Sequence, residues 1–600
     1  MQNKFQSLKV ISFNSRAVIC SAFVFGFGCI LCLTLPWFIG VSQSISDSYY
    51  YGYSNKSALF ILLITIFSSY YIVSRVSKNT AEWSNRRVEE TTTYNFFRQK
   101  KFVFFIYSFL FLGFIIFLFI SYNLQNSIYY GESGYFIKRL YLMKDGLDPF
   151  ISFEFAYGSF LLYFPHYIKE LFNLQVETSY LLSLFLESVA GYFFLWKVCK
   201  TLGSGGNLHL LFILLLLPSF FCLFSGGANY TLFRFVTPIY LLTYIVHDKV
   251  RSSQIRVILL SIFIFLIVIN ISVELSITSM FSIIIFNLYL NKYSKKAFVT
   301  SLILIILVLG IFIYSESLGS KFKTLLIFSQ GGNNFPWYLS PSILGFFVFI
   351  FTSIVIVALS RSKNYHLMVL IYSILNLPGA LGRCDIGHIY FYGIGFFIIN
   401  LSSLEYLYSS YLRKYILVSY ISLYVVFLSG GIMYLLYGAY WPQYSYFVKQ
   451  RIKFHIGMRL DPLKKSSSSY DSALTTLDEK PLVLRSDPIY FLNSPLRVKL
   501  DFPYFIDGMN DFSLYSKKVL LEEILKHKFV IVPKSRESVC SFYPLDFGYR
   551  VILFGSPSFH KYKNDPSLLN DKICSTLQKF YSISDIKLDS DNFLLVRNTL

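Results

Sequence analysis

Charge is scarce in this chain. Only 14% of its 600 residues are Asp, Glu, Lys or Arg, where a soluble globular protein carries about 25%, and acids are the scarcer sign, 33 against 54 bases. A composition so poor in charge excludes an ordinary soluble protein. Cysteine is sparse too. Of eight, six lie in or beside apolar runs, and only Cys540 and Cys574 share a polar domain where a disulfide could form. No nucleotide-binding motif occurs. No nucleic-acid-binding motif accompanies the net charge of +21, so nucleic acid is not an expected partner.

What the chain has instead is apolar surface. It is 54% hydrophobic with a mean hydropathy of +0.53. Runs such as "FVFFIYSFLFLGFIIFLFISY", Phe102 to Tyr122, exceed the roughly 18 residues needed to cross hydrocarbon. Basic clusters at Lys4 to Arg16, Arg75 to Lys101, Lys197 to Lys200, Lys249 to Arg256, Lys292 to Lys296, Arg361 to Lys363 and Arg413 to Lys414 mark cytoplasmic loops, which retain positive charge during insertion. Between successive clusters lies enough apolar sequence for an out-and-back pair of spans. About thirteen transmembrane helices result, at 17–40, 58–74, 102–122, 179–197, 208–224, 230–246, 257–273, 275–290, 298–314, 341–359, 367–380, 389–403 and 416–438. The N-terminus is then inside and everything after Gly438 is outside. The apolar length after Arg16 favours a retained span over a cleaved signal peptide.

This topology also locates the charge. The seven inner loops hold 22 Lys/Arg against 5 Asp/Glu, and the tail from Ala439 holds 23 against 17. The excess is therefore topological, with anionic headgroups of the membrane lipids as its partner.

Three regions follow. Residues 1–101 form an N-terminal transmembrane hairpin and a basic cytoplasmic loop; residues 102–438 form the main transmembrane core; residues 439–600 form an extracytoplasmic α/β domain. The core carries a large outer loop, 123–178, with two amphipathic pieces, Tyr135 to Met143 and Phe155 to Phe172, suited to helices lying in the membrane interface. After a "KKSSSS" linker, Lys464 to Ser469, the tail alternates strand-like and helix-like pieces: "PLVLRS", "SKKVLLEEILKH", "KFVIVP", "YRVILFG", a helix near Asp565 to Tyr581, and "FLLVRN".

Ionisable groups not explained by the inner loops gather at the outer ends of the spans. They are Glu132, Asp145, Asp148 and Glu154 in the large loop, Arg234 one turn into the sixth span, Glu274 at the turn between the seventh and eighth, and Arg383, Asp385 and His388 in "GRCDIGHIYF". Charges near hydrocarbon are costly and are kept for a site or a paired contact. Structural readings stand beside the functional one: Arg383 and Asp385 pair at a helix end, Glu274 caps the following helix, Arg234 snorkels to headgroups, and Asp145 shapes the turn in "KDGLDPF". Glu187, mid-span in "LFLESVAGY", reads as a residue paired within the bundle.

The order of parts resembles the GT-C superfamily of membrane glycosyltransferases, bacterial type, which take sugars from polyprenyl-phosphate carriers. "LDPFISFEFAYGSFLLYFP", Leu147 to Pro165, resembles the "G-x-x-P-Y … Y-G-P-L-x-x-Y" stretch of the first outer loop in bacterial members. "LGRCDIGHIYFY" resembles an "R-x-D-x-G-H" pattern of that class. The chain departs from the pattern in lacking an Asp-Glu pair or D-x-D in the loop, and in two additional spans before the helix that would be the family's first. The resemblance implies a multi-pass protein of the cell inner (plasma) membrane, acting in cell-envelope glycan assembly. A polyprenyl-phosphate-linked sugar is its donor and a glycan or lipid its acceptor. It implies Glu132, then Asp148, as the carboxylate that deprotonates the acceptor hydroxyl, and Arg383 and Arg234, with His388 and Asp385, as holders of the donor phosphate. Glu154, Tyr157 and Glu274 are further candidates. No metal ligands are assigned, and the cofactor is left open, a divalent cation included. Two rival readings are an O-antigen-type polysaccharide polymerase or ligase, and a lipid-linked glycan transporter or flippase. The latter would place polar groups near the midplane at broken helices; the former usually carries its large loop late in the chain.

Overall fold

The computed structural model describes most residues in 15–41, 51–80, 132–202, 227–314, 334–359 and 364–402, with short pieces of the tail at 477–483, 521–533, 575–586 and 592–598 and a few isolated residues elsewhere. The spans expected at 102–122 and 416–438, most of 208–224, the serine linker, the strand "YRVILFG" and the Cys540 to Cys574 pair lie outside the described residues.

The chain is a helical bundle whose outward faces are as apolar as its core. On α1 (Ser15–Thr34), Phe23, Phe27 and Ile30 form an exposed stripe, while Phe25, Cys29 and Cys32 form a buried one. Both stripes follow the helical i, i+4, i+7 spacing. A helix apolar on all sides is a membrane span or fully enclosed, and exposure of the first stripe selects the former. α1 pairs with α2 (Asn55–Thr80): Ser21 Oγ donates to the Ser69 carbonyl (3.2 Å) and Tyr53 OH to the Cys32 carbonyl (2.8 Å). At the far end β1 (Val10–Ile11) pairs antiparallel with β2 (Trp83–Ser84), so both chain ends of this hairpin leave on one side.

Six helices among the described residues are long and apolar enough to cross a membrane, or seven if one bent pair counts as a single span. Besides α1 and α2 they are α5 (Val176–Leu202), α7 (Gln254–Ile271), α8 (Val273–Leu290) and α9 (Lys295–Tyr314). The large loop supplies α3 (Glu132–Lys144) and α4 (Phe160–Phe172) before α5. α6 (Leu232–Ile245) precedes α7, and α10 (Pro341–Leu359) follows α9; both are apolar but shorter. The bent pair is α11 (Asn364–Leu375) with α12 (Leu377–Arg383), angled by 44° at Asn376 just before Pro378. The sequence reads one unbroken span there, at 367–380. Pro378 lacks the backbone donor that would continue the hydrogen-bond ladder of α11, and it is accommodated in the first turn of a new helix. The span expected at 389–403 is likewise divided at Gly393, into α13 (Ile386–Tyr392) and α14 (Ile394–Ser402).

A close approach between helices helps to position the site. Gly191 on α5 meets α6 so tightly that a Cβ would lie 2.3 Å from the Phe233 backbone nitrogen. Glycine lets the two helices cross at backbone distance. One turn earlier, Glu187 is 2% exposed, and neither carboxylate oxygen has a hydrogen-bond partner among the described residues. The partner expected within the bundle is not found among the described residues.

In the tail, β3 (Leu482–Val483), β4 (Phe529–Pro533), β5 (Tyr581–Ile583) and β6 (Asn592–Arg597) form one mixed sheet in the order β3-β4-β6-β5. β3 runs parallel to β4, and β6 antiparallel to both its neighbours. The helix expected to reach Tyr581 ends at residue 580, and Tyr581 opens β5 instead. Its ring is buried and its hydroxyl donates to the His527 carbonyl (2.7 Å), a tertiary contact that local propensity does not contain. Lys528 and Asp478 pair at the start of β4, and that hydrogen bond holds the Asp478 carboxyl below its usual range.

Phe529, Ile531 and Leu594 of this sheet share a hydrophobic cluster with Phe136 and Leu140 of α3, Leu161 of α4 and Leu184 of α5. The tail and the large loop thus occupy the same end of the bundle.

Candidate functional site

The site grows from a helix break. α7 stops at Ile271 and α8 starts at Val273, leaving Ser272 alone in extended conformation (φ −162°, ψ 120°). The large loop closes on this corner. Gly158 N donates to the Ile271 carbonyl (3.2 Å) and Ser159 Oγ to Asn270 Oδ1 (2.7 Å). A Cβ on Gly158 would fall 2.2 Å from the Asn270 carbonyl oxygen, so only glycine permits the contact.

Arg234 fills the space behind the corner. It lies in the first turn of α6 and is 1% exposed. Nε donates to Ser272 Oγ (3.2 Å), Nη1 to the Asn229 carbonyl (2.8 Å), and Nη2 to Tyr392 OH (3.1 Å) and to Glu274 Oε1, with which it forms an ion pair. Tyr392 OH also donates to Glu274 Oε1 (3.0 Å). The guanidinium carbon stands 4.6 Å from the Tyr157 ring centroid and 4.8 Å from that of Phe235, in cation–π range. Asn229 Nδ2 donates to Tyr157 OH (2.9 Å), tying the loop to the short turn before α6.

One turn from Tyr392 on the same helix, His388 makes a 2.9 Å hydrogen bond with Tyr230 OH through Nε2. Its ring stacks on Tyr392 at 6.0 Å and 9°. Phe136 stacks on Tyr157 (5.7 Å) and Tyr180 (5.9 Å), backing the site with aromatic rings. Glu274 Oε1 is fully engaged, whereas Oε2 is buried without a partner among the described residues.

The structure thus brings Arg234, Glu274, His388 and Tyr157 into one network, drawn from the loop, α6, α8 and α13. Arg234 does not snorkel: it is buried and its donors are directed at protein. Glu274 sits one residue into α8, past the corner, as the counter-ion of Arg234. Arg383 ends α12, half-buried, beside Cys384 in left-handed conformation (φ 55°). The backbone there is held by Phe335 N donating to the Gly382 carbonyl (2.8 Å) and Trp337 Nε1 donating to the Leu381 carbonyl (2.9 Å). Asp148 is exposed on the loop near Tyr163. Glu132 opens α3; Asp145, Glu154 and Asp385 lie outside the described residues. Among the described residues no three His, Cys, Asp or Glu side chains group as a metal site would need. Sequence reading missed Asn229, Tyr230, Ser272 and Tyr392; the signal for Tyr392 was its helical i+4 spacing from His388.

Compared with known protein families, characterised proteins and solved structures, the chain matches none.

Proposed function

We propose that this membrane protein is a glycosyltransferase that moves a sugar from a polyprenyl-phosphate carrier to a glycan or lipid acceptor at the loop-bearing end of its helix bundle. One observation carries the reading: the buried Arg234 is tied to the half-buried Glu274 and Tyr392 where a large early loop and several helix ends converge. An intramembrane ion pair with four donations from one guanidinium is costly to assemble and marks a built site. Glycosyl transfer needs a carboxylate to take the acceptor's proton as its oxygen attacks the anomeric carbon. Glu132, at the head of the loop helix α3, is assigned that role, with Asp148 second. The departing carrier phosphate gains negative charge, and Arg383 is assigned to meet it as a bidentate fork. Arg234, its donors already engaged, serves as the strut that fixes Glu274.

The test is transfer by the purified full-length protein in liposomes containing a labelled polyprenyl-phosphate hexose, paired with lipid analysis of a deletion strain. Transfer in the first and accumulation of lipid-linked sugar in the second are expected. Neither transfer nor accumulation would overturn the reading.

A further inference from the structure

The turn between α1 and α2 reaches far along the chain. α2 begins at Asn55, and Ser54 caps it: the Ala58 amide donates to the Ser54 carbonyl (3.0 Å) and the Ser57 amide to Ser54 Oγ (3.4 Å). The Ser54 amide in turn donates to the carbonyl of Pro36, just past α1 (3.1 Å). Capping of α2 therefore falls to Ser54 and not to the Asn55 side chain. Asn55 Nδ2 donates instead to the Phe335 carbonyl (2.8 Å), 280 residues away. Beside it the Ser48 amide donates to the Asn334 carbonyl (3.1 Å). The Tyr53 ring lies 4.9 Å from that of Trp37 and 6.5 Å from that of Trp337. The first hairpin thus grips residues 334–337, and that segment grips the helix end that carries Arg383. Phe335 N donates to the Gly382 carbonyl (2.8 Å) and Trp337 Nε1 to the Leu381 carbonyl (2.9 Å). Both acceptors are among the carbonyls that a helix end leaves without intrahelical donors.

We infer that Asn55 is a positioning residue for Arg383, acting through Phe335 and Gly382, and that the hairpin of α1 and α2 is a working part of the phosphate-holding end. What Arg383 holds is taken from the glycosyltransferase reading; the hydrogen bonds that hold its helix end are independent of it. A guanidinium fork meets a phosphate in two parallel bonds only where its own backbone is fixed. α12 has seven residues, too few to be stable without outside support. It also ends on Cys384, a non-glycine residue at φ 55°, a conformation that persists where the surroundings over-determine it. The surroundings here are the 334–337 segment: a Cβ on Gly382 would come within 3.1 Å of Asn334 Oδ1. Phe335 is bonded on both sides, by its carbonyl to Asn55 and by its amide to Gly382. The two spans that stand outside the resemblance thereby acquire a role.

Asn55→Asp is the decisive variant. It keeps the shape of the side chain, sets an acceptor against the Phe335 carbonyl in place of the donor, and spares α2, because an acid is welcome in the first turn of a helix. Asn55→Ala serves as the second variant should the first fail to fold. The purified full-length protein is titrated with polyprenyl phosphate and with the uncharged polyprenol, in wild type, Asn55→Asp, Arg383→Ala and the double variant. Asn55→Asp is expected to weaken polyprenyl phosphate about three- to ten-fold, the range of one neutral hydrogen bond, and to leave the polyprenol unchanged. In the Arg383→Ala background it should cost nothing further, since residues that act through one another are not additive. Equal losses for both ligands, or the same factor lost again on top of Arg383→Ala, would reduce Asn55 to a structural residue and overturn the inference. Amide hydrogen exchange is read on the same proteins. Faster exchange at Phe335 and in the last turn of α12 in Asn55→Asp is expected, and unchanged exchange there would break the proposed relay. Should wild type not bind polyprenyl phosphate, the glycosyltransferase reading falls by itself, and hydrogen exchange alone then decides whether Asn55 holds the Arg383 end.

Discussion

At the scale of single residues, the arrangement around Arg234 separates two kinds of arginine that one sequence pattern makes look alike. Both Arg234 and Arg383 fall at the ends of apolar helices, and position alone offers the phosphate to either. The structure directs four donations of Arg234 at Ser272, Asn229, Tyr392 and Glu274, so its loss leaves a carboxylate without its cation. Removing one partner of a buried pair costs about 3–5 kcal/mol, while replacing both by apolar groups costs far less. Arg234→Leu is therefore expected to lower the thermal stability of the purified protein strongly. The Arg234→Leu, Glu274→Leu double variant should recover much of that loss without recovering sugar transfer. Equal losses in the single and double variants would show that the pair is not the strut described. For Arg383, losing a charge-assisted contact to phosphate costs roughly 1.5–3 kcal/mol. Arg383→Ala should weaken binding of a polyprenyl-phosphate analogue about ten- to a hundred-fold, and Arg383→Lys should restore only part. Unchanged affinity would return Arg383 to the role of a helix-end residue. Glu132→Gln should abolish transfer with expression and melting temperature near wild type; a variant that transfers normally would move the base to Asp148.

At the scale of elements, periodicity was the informative signal and isolated breaks were not. The amphipathic pieces expected at 135–143 and 155–172 correspond to α3 and the later part to α4, because alternating Leu and aromatic positions at helical spacing need a flat interface. The strand-like pieces "KFVIVP" and "FLLVRN" correspond to β4 and β6, legible as short apolar runs. The corner at Ser272 was not. No glycine or proline marks it, and the turn was placed at Glu274 only because charge suggests a loop. What decides the break is tertiary: the Ser272 hydroxyl accepts from Arg234, and Gly158 docks on the Ile271 carbonyl. The Arg234–Glu274 pairing, 40 residues apart in sequence, has no local signature either. A consequence at this scale concerns Gly158, where an added methyl must displace backbone, not a movable side chain. Gly158→Ala is expected to cost about 1–3 kcal/mol and to release the loop from the corner. Limited proteolysis between 145 and 160 should accelerate while cleavage elsewhere stays constant. An unchanged digestion pattern would mean that the loop tolerates the methyl and that the close approach is not needed.

At the scale of the whole molecule, the packing of tail on loop constrains topology more firmly than any count of spans. The positive-charge pattern places an odd number of crossings before the tail, yet a single misread hairpin would reverse that result. The shared cluster of Phe529, Ile531 and Leu594 with Phe136, Leu140 and Leu161 requires the segment after α3 and the tail sheet to lie on one side of the bilayer. An even number of crossings must therefore separate the large loop from the tail, whatever the total. Reporter fusions within residues 123–178 and after Ser466 should consequently agree, and the expected side for both is non-cytoplasmic. Opposite sides would overturn the packing; a shared cytoplasmic side would keep the packing and invert the proposed orientation with its site. The cluster also gives the tail a mechanical role, since a charge buried at its centre cannot be solvated. Ile531→Asp, fully enclosed between sheet and loop, should detach the tail while leaving the helical spans inserted. A protease site placed in the serine linker would then free the tail from the membrane fraction in the variant and leave it bound in wild type. Retention in both would mean that contacts outside this cluster hold the domain in place.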